Sequence, residues 1–192
     1  MVIDQKDLHI SRGWFDSSVS FGEPGYEERE TVKNGLATAA KSGFTQIILN
    51  PNTNPVTDDN GTVTSILSKA AGYPVKVYPS GALTRASQGK NLADLYDMYQ
   101  AGAVAFGDYK KAIMNPNLLK LALQYVQSFN GLVQSFPQDN NIAGHGVMNE
   151  DTNSTHLGLR GIAPLAEELH IARDLAILEY TGGKLHIPTI ST

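Results

Sequence analysis

Three polar residues at alternate positions, Asp16, Ser18 and Ser20, are the part of this sequence whose spacing best suits chemistry at one site. Alternate residues of a strand lie on one face, so the hydroxyls of Ser18 and Ser20 would face one site. A neutral hydroxyl is a poor zinc ligand, because zinc binds imidazole, carboxylate or thiolate. A serine nucleophile would need a histidine base within hydrogen-bonding distance, and the sequence places none here. We therefore expect Ser18 and Ser20 to be small polar residues that line a site.

Asn52 and Asp108 are two further polar residues that follow short apolar segments. Asn52 lies in a Pro- and Asn-rich stretch, where turn formation is the simpler interpretation and hydrogen bonding to a ligand is the alternative. For Asp108 we expect hydrogen bonds to backbone amides or to a lysine such as Lys110, with residual cation binding as the alternative. One carboxylate is too few for a hydrolytic metal centre, and Mg²⁺ or Ca²⁺ would need several more oxygen ligands.

The chain has five histidines, and none is a strong candidate ligand. His9 and His170 occupy surface or helix positions. His145 and His156 lie in a long polar loop and could bind a metal only if that loop folded over the site. His186 lies on a predicted strand, where a buried histidine with a hydrogen-bond partner is the favoured interpretation.

Composition narrows the classes of function. The 192 residues are enough for one domain with a sizeable core, and the content of 41% hydrophobic and 18% charged residues is ordinary for a globular protein. A net charge of −4 without a basic run argues against a nucleic-acid surface. No apolar segment is long enough to predict a membrane span, and the N-terminus lacks a signal-peptide pattern. Cysteine is absent, which excludes disulfides and thiolate zinc ligands and fits a cytoplasmic location.

Short apolar segments alternate with amphipathic ones along the whole chain. The predicted strands are 14–20, 45–49, 75–78, 103–106, 131–136 and 184–190. The predicted helices are 28–41, 61–71, 92–100 (with Asn91 as N-cap), 116–129 and 164–180. This alternation predicts an α/β fold with a parallel sheet and right-handed crossovers, and a doubly wound sheet and a barrel both fit it. Six strands would make an incomplete barrel, because a full one has eight βα units. The long connection 137–163 is either functional or a surface excursion.

The order of several motifs resembles that of dihydroorotases and related cyclic amidohydrolases. In that family the first strand carries Asp-x-His-x-His followed by x-Arg-Glu-Pro-Gly, and here residues 16–25 keep the Asp and the Glu-Pro-Gly turn. Residues 50–55 are similar to the family's Met-Pro-Asn-Thr-x-Pro, and 105–108 to its Ala-Phe-Ser/Thr-Asp. Further similar segments, in the family's order, are 135–139, 148–150, 157–162, 166–174 and 185–192.

The resemblance implies that the zinc ligands of active members are missing from this chain. The positions of the four metal-binding histidines are occupied by Ser18, Ser20, Phe136 and Thr189, and the arginine that would pair with a substrate carboxylate is replaced by Gly22. The site positions retained are Asp16, Asn52 and Asp108. The resemblance also implies a TIM-type (β/α) barrel of about six βα units over residues 1–192, without the family's small β-rich domain and last barrel units.

The same resemblance predicts a function in pyrimidine biosynthesis. The sequence is most similar to noncatalytic dihydroorotase homologues of bacteria, which implies no bound zinc and a structural partnership with aspartate transcarbamoylase. The alternative is an active hydrolase with a displaced metal site built from Asp108 and His145, His156 or His186. A third possibility is that the chain shares the fold and the ancestry of the family but not its catalytic mechanism. An open six-strand sheet would expose its edges, so we also expect a homo- or hetero-oligomer or further residues to cover them.

Overall fold

Eight short strands alternate with seven α-helices in the computed structural model, which describes residues 6, 7 and 9–191. The strands are β1 (Trp14–Val19), β2 (Phe44–Leu49), β3 (Lys76–Gly81), β4 (Ala105–Phe106), β5 (Val133–Gln134), β6 (Met148–Asn149), β7 (Gly161–Ile162) and β8 (Leu185–His186). The helices are α1 (Val32–Lys41), α2 (Asn60–Ala70), α3 (Leu95–Ala101), α4 (Pro116–Val126), α5 (Asn140–Ala143), α6 (Thr152–Leu157) and α7 (Leu165–Thr181).

The main sheet grows in one direction along the chain. Its six strands are all parallel and follow the order β1-β2-β3-β4-β5-β8. A doubly wound sheet reverses its direction of growth at a switch point, whereas this order has no reversal. With right-handed crossovers, continuous growth places all the connecting helices on one face. The topology therefore distinguishes the barrel-type arrangement, which the family resemblance implied, from the doubly wound one, which the alternation of elements had left open.

Local signals fix the ends of several helices. The side chains of Thr31 and Asp59 accept hydrogen bonds from the first turns of α1 and α2. Asn115 caps α4, which begins with Pro116. Gly102 ends α3 in the left-handed conformation with φ of 111°. Each of these signals can be read from the sequence, because it depends only on neighbouring residues.

Several predicted boundaries are wrong. Helix α1 begins at Val32 and not at 28, and strands β4 and β5 cover only 105–106 and 133–134 of the predicted 103–106 and 131–136. Helix α3 begins at Leu95 and not at 92, because residues 91–93 run back along 83–85: the carbonyl of Asn91 accepts from Arg85 N at 3.0 Å, and Ala93 N donates to Leu83 O at 3.0 Å. The predicted strand 184–190 is hydrogen-bonded as a strand only at Leu185–His186. The long polar connection also has structure of its own, since α5, β6, α6 and β7 lie within it and β6 pairs with β7.

Two apolar clusters lie between the sheet and its helices. One joins α1, α2, β2 and β3 through Val32, Leu36, Ile47, Leu49, Ile66, Val75 and Val77. The other is larger and includes Leu83, Leu95, Met98, Phe106, Leu119, Leu123 and Val133. Each fully buried side chain of this size contributes about 1.5–3 kcal/mol. Together the clusters fix the strands whose carboxyl ends carry the candidate site.

A polar cluster attaches α7 to the loop after β4. Arg173 donates to the carbonyls of Ile113 and Met114 at 2.8 and 3.3 Å and forms a 2.6 Å ion pair with the buried Asp174. His170 Nε2 lies 2.8 Å from Arg173 Nη2. Burial lowers the pKa of His170, while the charge of Asp174 opposes that change.

None of the helices in the described part of the chain combines the length and the apolar character that crossing a membrane requires.

Candidate functional site

The loops that leave the carboxyl ends of the main-sheet strands meet around a cavity of about 150 Å³, which we call the first cavity. It brings together Ser18, Phe136 and Thr189, which are 53 or more residues apart in sequence. The other lining residues are Ser17, Asn50, Tyr109, Lys110, Gln134, His186 and Pro188. In barrels of this type, the strand carboxyl ends are where active sites form.

Hydrogen bonds hold Ser18 in place. Its hydroxyl accepts from Asn50 Nδ2 at 3.1 Å, and Asn50 is only 7% exposed. Its backbone N–H donates to the carboxylate of Asp16 at 3.0 Å. Asp16 lines a separate groove between β1 and α1 and not the first cavity. Its carboxylate therefore supplies no oxygen to that cavity.

Ser20 contacts the second retained position directly. Its hydroxyl donates to Asn52 Oδ1 at 2.6 Å, so the oxygen of this amide is already bonded. Asn52 lines a second cavity of about 380 Å³ on the same side of the sheet. The other residues around this second cavity are Tyr26, Arg29, Thr53, Val56, Ser87, Asp108, Tyr109, Lys110 and Lys111.

Asp108 lies at the second cavity but is only 4% exposed. Its Oδ1 accepts from Thr84 N at 3.0 Å, and its Oδ2 accepts from the Thr84 hydroxyl. Burial raises the pKa of Asp108, while the hydrogen bonds from Thr84 and the charge of Lys111 oppose that rise. The predicted backbone amide is thus present, but the lysine that acts on the carboxylate is Lys111 and not Lys110. Sequence reasoning missed Thr84, because an isolated threonine after a strand carries no local signal.

The side chains around the first cavity do not suit zinc. They offer hydroxyls, two amides, an apolar ring, a cation and one imidazole, whereas zinc binds several imidazole, carboxylate or thiolate groups. The imidazole belongs to His186, whose Nδ1 lies 3.2 Å from Gln134 Nε2. The cation is Lys110, whose charge repels a metal ion. Within residues 6, 7 and 9–191, no three His, Cys, Asp or Glu side chains are grouped so that they could hold a metal.

The other histidines lie away from these cavities. His145 and His156 are exposed, on the connection after α5 and on α6 respectively. His170 lies on a helix as predicted, but it is buried in the cluster around Arg173. His9 is exposed.

Gly22 lies in a turn that has no room for a side chain. Its N–H donates to Glu30 O and its carbonyl accepts from Tyr26 N, both at 2.9 Å. A Cβ added at Gly22 would lie 1.8 Å from the carbonyl oxygen of Tyr26. Since that atom belongs to the backbone, an arginine at position 22 would require the turn itself to move.

Comparison with known sequences gives matches over the whole chain. The sequence model of the dihydro-orotase-like family matches residues 9–192. Curated relatives named dihydroorotase, from Pelotomaculum thermopropionicum and Syntrophus aciditrophicus, are 45% and 43% identical over 193 aligned positions. Each alignment covers 100% of this chain and 45% of the relative, so the chain spans just under half the length of these proteins.

Comparison with solved structures identifies the fold. L-hydantoinase (dihydropyrimidinase) from Arthrobacter aurescens superposes with a TM-score of 0.69 at 18% identity, over 91% of this chain and 40% of that one. Dihydroorotase from Saccharomyces cerevisiae, in complex with 5-fluoroorotic acid, gives 0.60 at 14% identity, over 93% and 48%. At these identities the likeness establishes the fold alone. It confirms the predicted fold class, since both neighbours are TIM-barrel amidohydrolases and this sheet is an incomplete barrel.

Proposed function

This chain belongs to the dihydroorotase-like family, and we propose that it is a cytoplasmic protein of the pyrimidine biosynthesis pathway. In this proposal the chain has lost the zinc site of the family and does not hydrolyse cyclic amides. Its proposed role is that of a noncatalytic structural partner of aspartate transcarbamoylase. The observation that carries the proposal is the convergence of Ser18, Phe136 and Thr189 on one cavity that Lys110 also lines.

The chemistry of that cavity supports a loss of catalysis. Hydrolysis of a cyclic amide near neutral pH needs an activated water, which a divalent metal supplies by lowering the pKa of the water and polarising the carbonyl. Serine, phenylalanine and threonine side chains do not bind zinc as imidazoles do. The closed turn at Gly22 supports the proposal independently, because the substrate-pairing arginine implied by the family resemblance would not fit there.

The alternative function is an active hydrolase with a displaced metal site. One observation favours it, since His186 lines the first cavity. Two observations weigh against it. Both carboxylate oxygens of Asp108 accept hydrogen bonds from Thr84, and His145 and His156 are exposed outside both cavities.

The open edge of the sheet supports a partner. Strand β1 pairs with β2 on one side only, among the described strands. Trp14 and Phe15 on this edge are 64% and 53% exposed. An edge strand with large apolar side chains is a surface that proteins normally cover, and a partner subunit, a second copy or further residues of the same polypeptide could do so.

The decisive experiment measures metal, activity and association on one sample. The longest natural form of the protein is purified beside the P. thermopropionicum relative, which serves as the control for zinc retention and for the assay. Elemental analysis is expected to give no stoichiometric zinc, and the protein is expected to leave dihydroorotate intact. Co-purification with aspartate transcarbamoylase of the same organism is expected at a fixed ratio. Stoichiometric zinc with hydrolysis would establish the alternative, and loss of association alone would remove the structural role.

A further inference from the structure

We propose that the outer faces of helices α3 and α4 form the centre of an interface with a second copy of this chain. This inference goes beyond the proposed function, because it requires neither a lost zinc site nor a different protein as partner. The surface is also separate from the open edge at β1, since α3 and α4 follow β3 and β4 in the middle of the sheet.

Four large side chains on these two helices form the aromatic patch, which consists of Tyr96, Tyr99, Leu121 and Tyr125. Each of them is 40–47% exposed. The three tyrosine rings surround the buried Phe129, with ring centroids 5.6, 4.8 and 5.9 Å from its own. Leu121 lies one turn before Tyr125 on the same side of α4. The patch is therefore one continuous surface that crosses from α3 to α4.

The two helices that precede the patch show the ordinary pattern of a surface helix, which is polar on its outer face. Within residues 32–41 and 60–70, no large apolar side chain is exposed. The exposed residues of α1 and α2 are Lys33, Asn34, Thr38, Lys41, Asn60, Gly61, Thr64, Ser65, Ser68 and Lys69. The patch is thus a local feature of one sector of the fold, and a local apolar surface of this kind is typical of a protein interface.

The charges of α3 and α4 suit an interface of the surface with itself. Asp97 and Lys120 are the charged residues of these two helices, and their charges cancel (1 − 1 = 0). A two-fold interface places the same surface on both sides, so a patch of one sign would repel its copy. Tyrosine enrichment and few charges are also the composition that distinguishes the cores of protein interfaces.

Helix α7 packs against α4 and widens this surface. It exposes the apolar residues Leu169 and Tyr180 beside the acidic Glu168 and Glu179, a mixture that suits an interface rim. Between α4 and α7 lies a groove of about 370 Å³ that can accept a side chain of the second copy.

The area agrees with that of a stable dimer. The three helices have 7, 11 and 17 residues, which at 1.5 Å per residue and a diameter of about 10–12 Å gives a footprint of about 500–650 Å². Each partner of a standard interface buries about 800 Å². The helices therefore supply most of the required surface, and the loops beside them can supply the rest.

The oligomeric state of the longest natural form tests the proposal. Sedimentation velocity over a wide range of protein concentrations is expected to show a dimer. A monomer at every concentration would overturn the proposal. Association with aspartate transcarbamoylase is a separate readout, because the dimer is measured on the purified protein alone.

Charged substitutions locate the interface. Tyr96→Glu and Leu121→Glu are each expected to raise the dissociation constant of the dimer about thirtyfold or more, the effect of losing a central interface residue. The matched control is Ser65→Glu, which places the same charge on the polar outer face of α2 and should leave the dimer unchanged. A dimer that both patch variants retain, or that Ser65→Glu weakens equally, would overturn the proposal.

Circular dichroism and thermal unfolding confirm that each variant is folded. Leu121→Gln adds no charge and replaces Leu121→Glu if the latter does not fold. It is expected to weaken the dimer in the same direction, and an unchanged dissociation constant would contradict a contact at this position.

Discussion

Thr84 and Asp108 form a buried pair in which Thr84 donates one hydrogen bond to each oxygen of the Asp108 carboxylate. The backbone N–H of Thr84 donates to Oδ1 at 3.0 Å and its hydroxyl donates to Oδ2. The same hydroxyl accepts from Gly89 N at 2.8 Å. The pair joins the loops after β3 and β4 beside the second cavity and gives each oxygen of the buried carboxylate a hydrogen-bond partner.

Replacing the hydroxyl should therefore destabilise the fold. In Thr84→Val the side chain keeps its shape, but the buried Asp108 Oδ2 and Gly89 N lose their partner. We expect the free energy of unfolding to fall by about 1–3 kcal/mol, measured by urea denaturation. Thr64→Val, at an exposed position of α2, is the matched control and should change stability by less than about 0.5 kcal/mol. Equal effects of the two substitutions would contradict a structural role for the pair.

The pH dependence of stability should carry the signature of Asp108. Burial raises its pKa in the folded state, so the native state binds this proton more tightly than the unfolded chain does. The resulting stabilisation is complete below the unfolded pKa of about 3.9 and is lost as the pH rises through the folded value. The free energy of unfolding of the natural protein, relative to Asp108→Asn, should rise as the pH is lowered through this window. If denaturation curves show that this difference in the free energy of unfolding stays constant or falls as the pH is lowered, the Asp108 carboxylate is ionised in the folded protein without an energetic cost.

Breaking the ion pair of α7 should have a much larger effect than breaking a surface pair. Arg173→Met leaves the buried Asp174 uncompensated and removes the donors to Ile113 O and Met114 O, at an expected cost of about 3–5 kcal/mol. Arg85→Met breaks a pair with Asp94 in which both side chains are more than half exposed, and it should cost less than about 1 kcal/mol. Chemical denaturation of both variants measures the contrast. Comparable losses would mean that the cluster around Arg173 is not a major attachment of α7.

Gly22 should tolerate no side chain, although it stands at the position where the family motif has arginine. Gly22→Ala places a Cβ against the carbonyl of Tyr26, and we expect a loss of stability of about 1–3 kcal/mol, the usual cost of overpacking. At Gly61, within α2, a Cβ would meet only Asp59 Oδ1 at 3.3 Å. Gly61→Ala requires only a small shift of this side-chain oxygen and should change stability by less than about 0.5 kcal/mol. Thermal melts should show a clear loss for Gly22→Ala and little change for Gly61→Ala, and a neutral Gly22→Ala would show that the turn adapts.

The sequence predicted the elements because their signals are local. Alternation and 3.6-residue periodicity report which side of a segment faces the core, and caps such as Asp59 and Asn115 act on the next turn. Each of the six strands of the main sheet overlaps a predicted strand. Helix α3 was placed too early, because the pairing of residues 91–93 with 83–85 involves a non-neighbouring segment.

The sequence by itself determined which side chains stand at the family's ligand positions, since a motif match depends only on order and spacing. Only the tertiary structure decided that Ser18, Phe136 and Thr189 surround one cavity with Lys110, and that Thr84 holds Asp108. It also decided that the sheet grows in one direction and that the turn at Gly22 excludes a Cβ. The two cavity features and the sheet order depend on contacts between distant segments, which form when apolar burial packs the strands and helices together. The turn at Gly22 is local, but its closure depends on a backbone conformation that the residue types there do not specify.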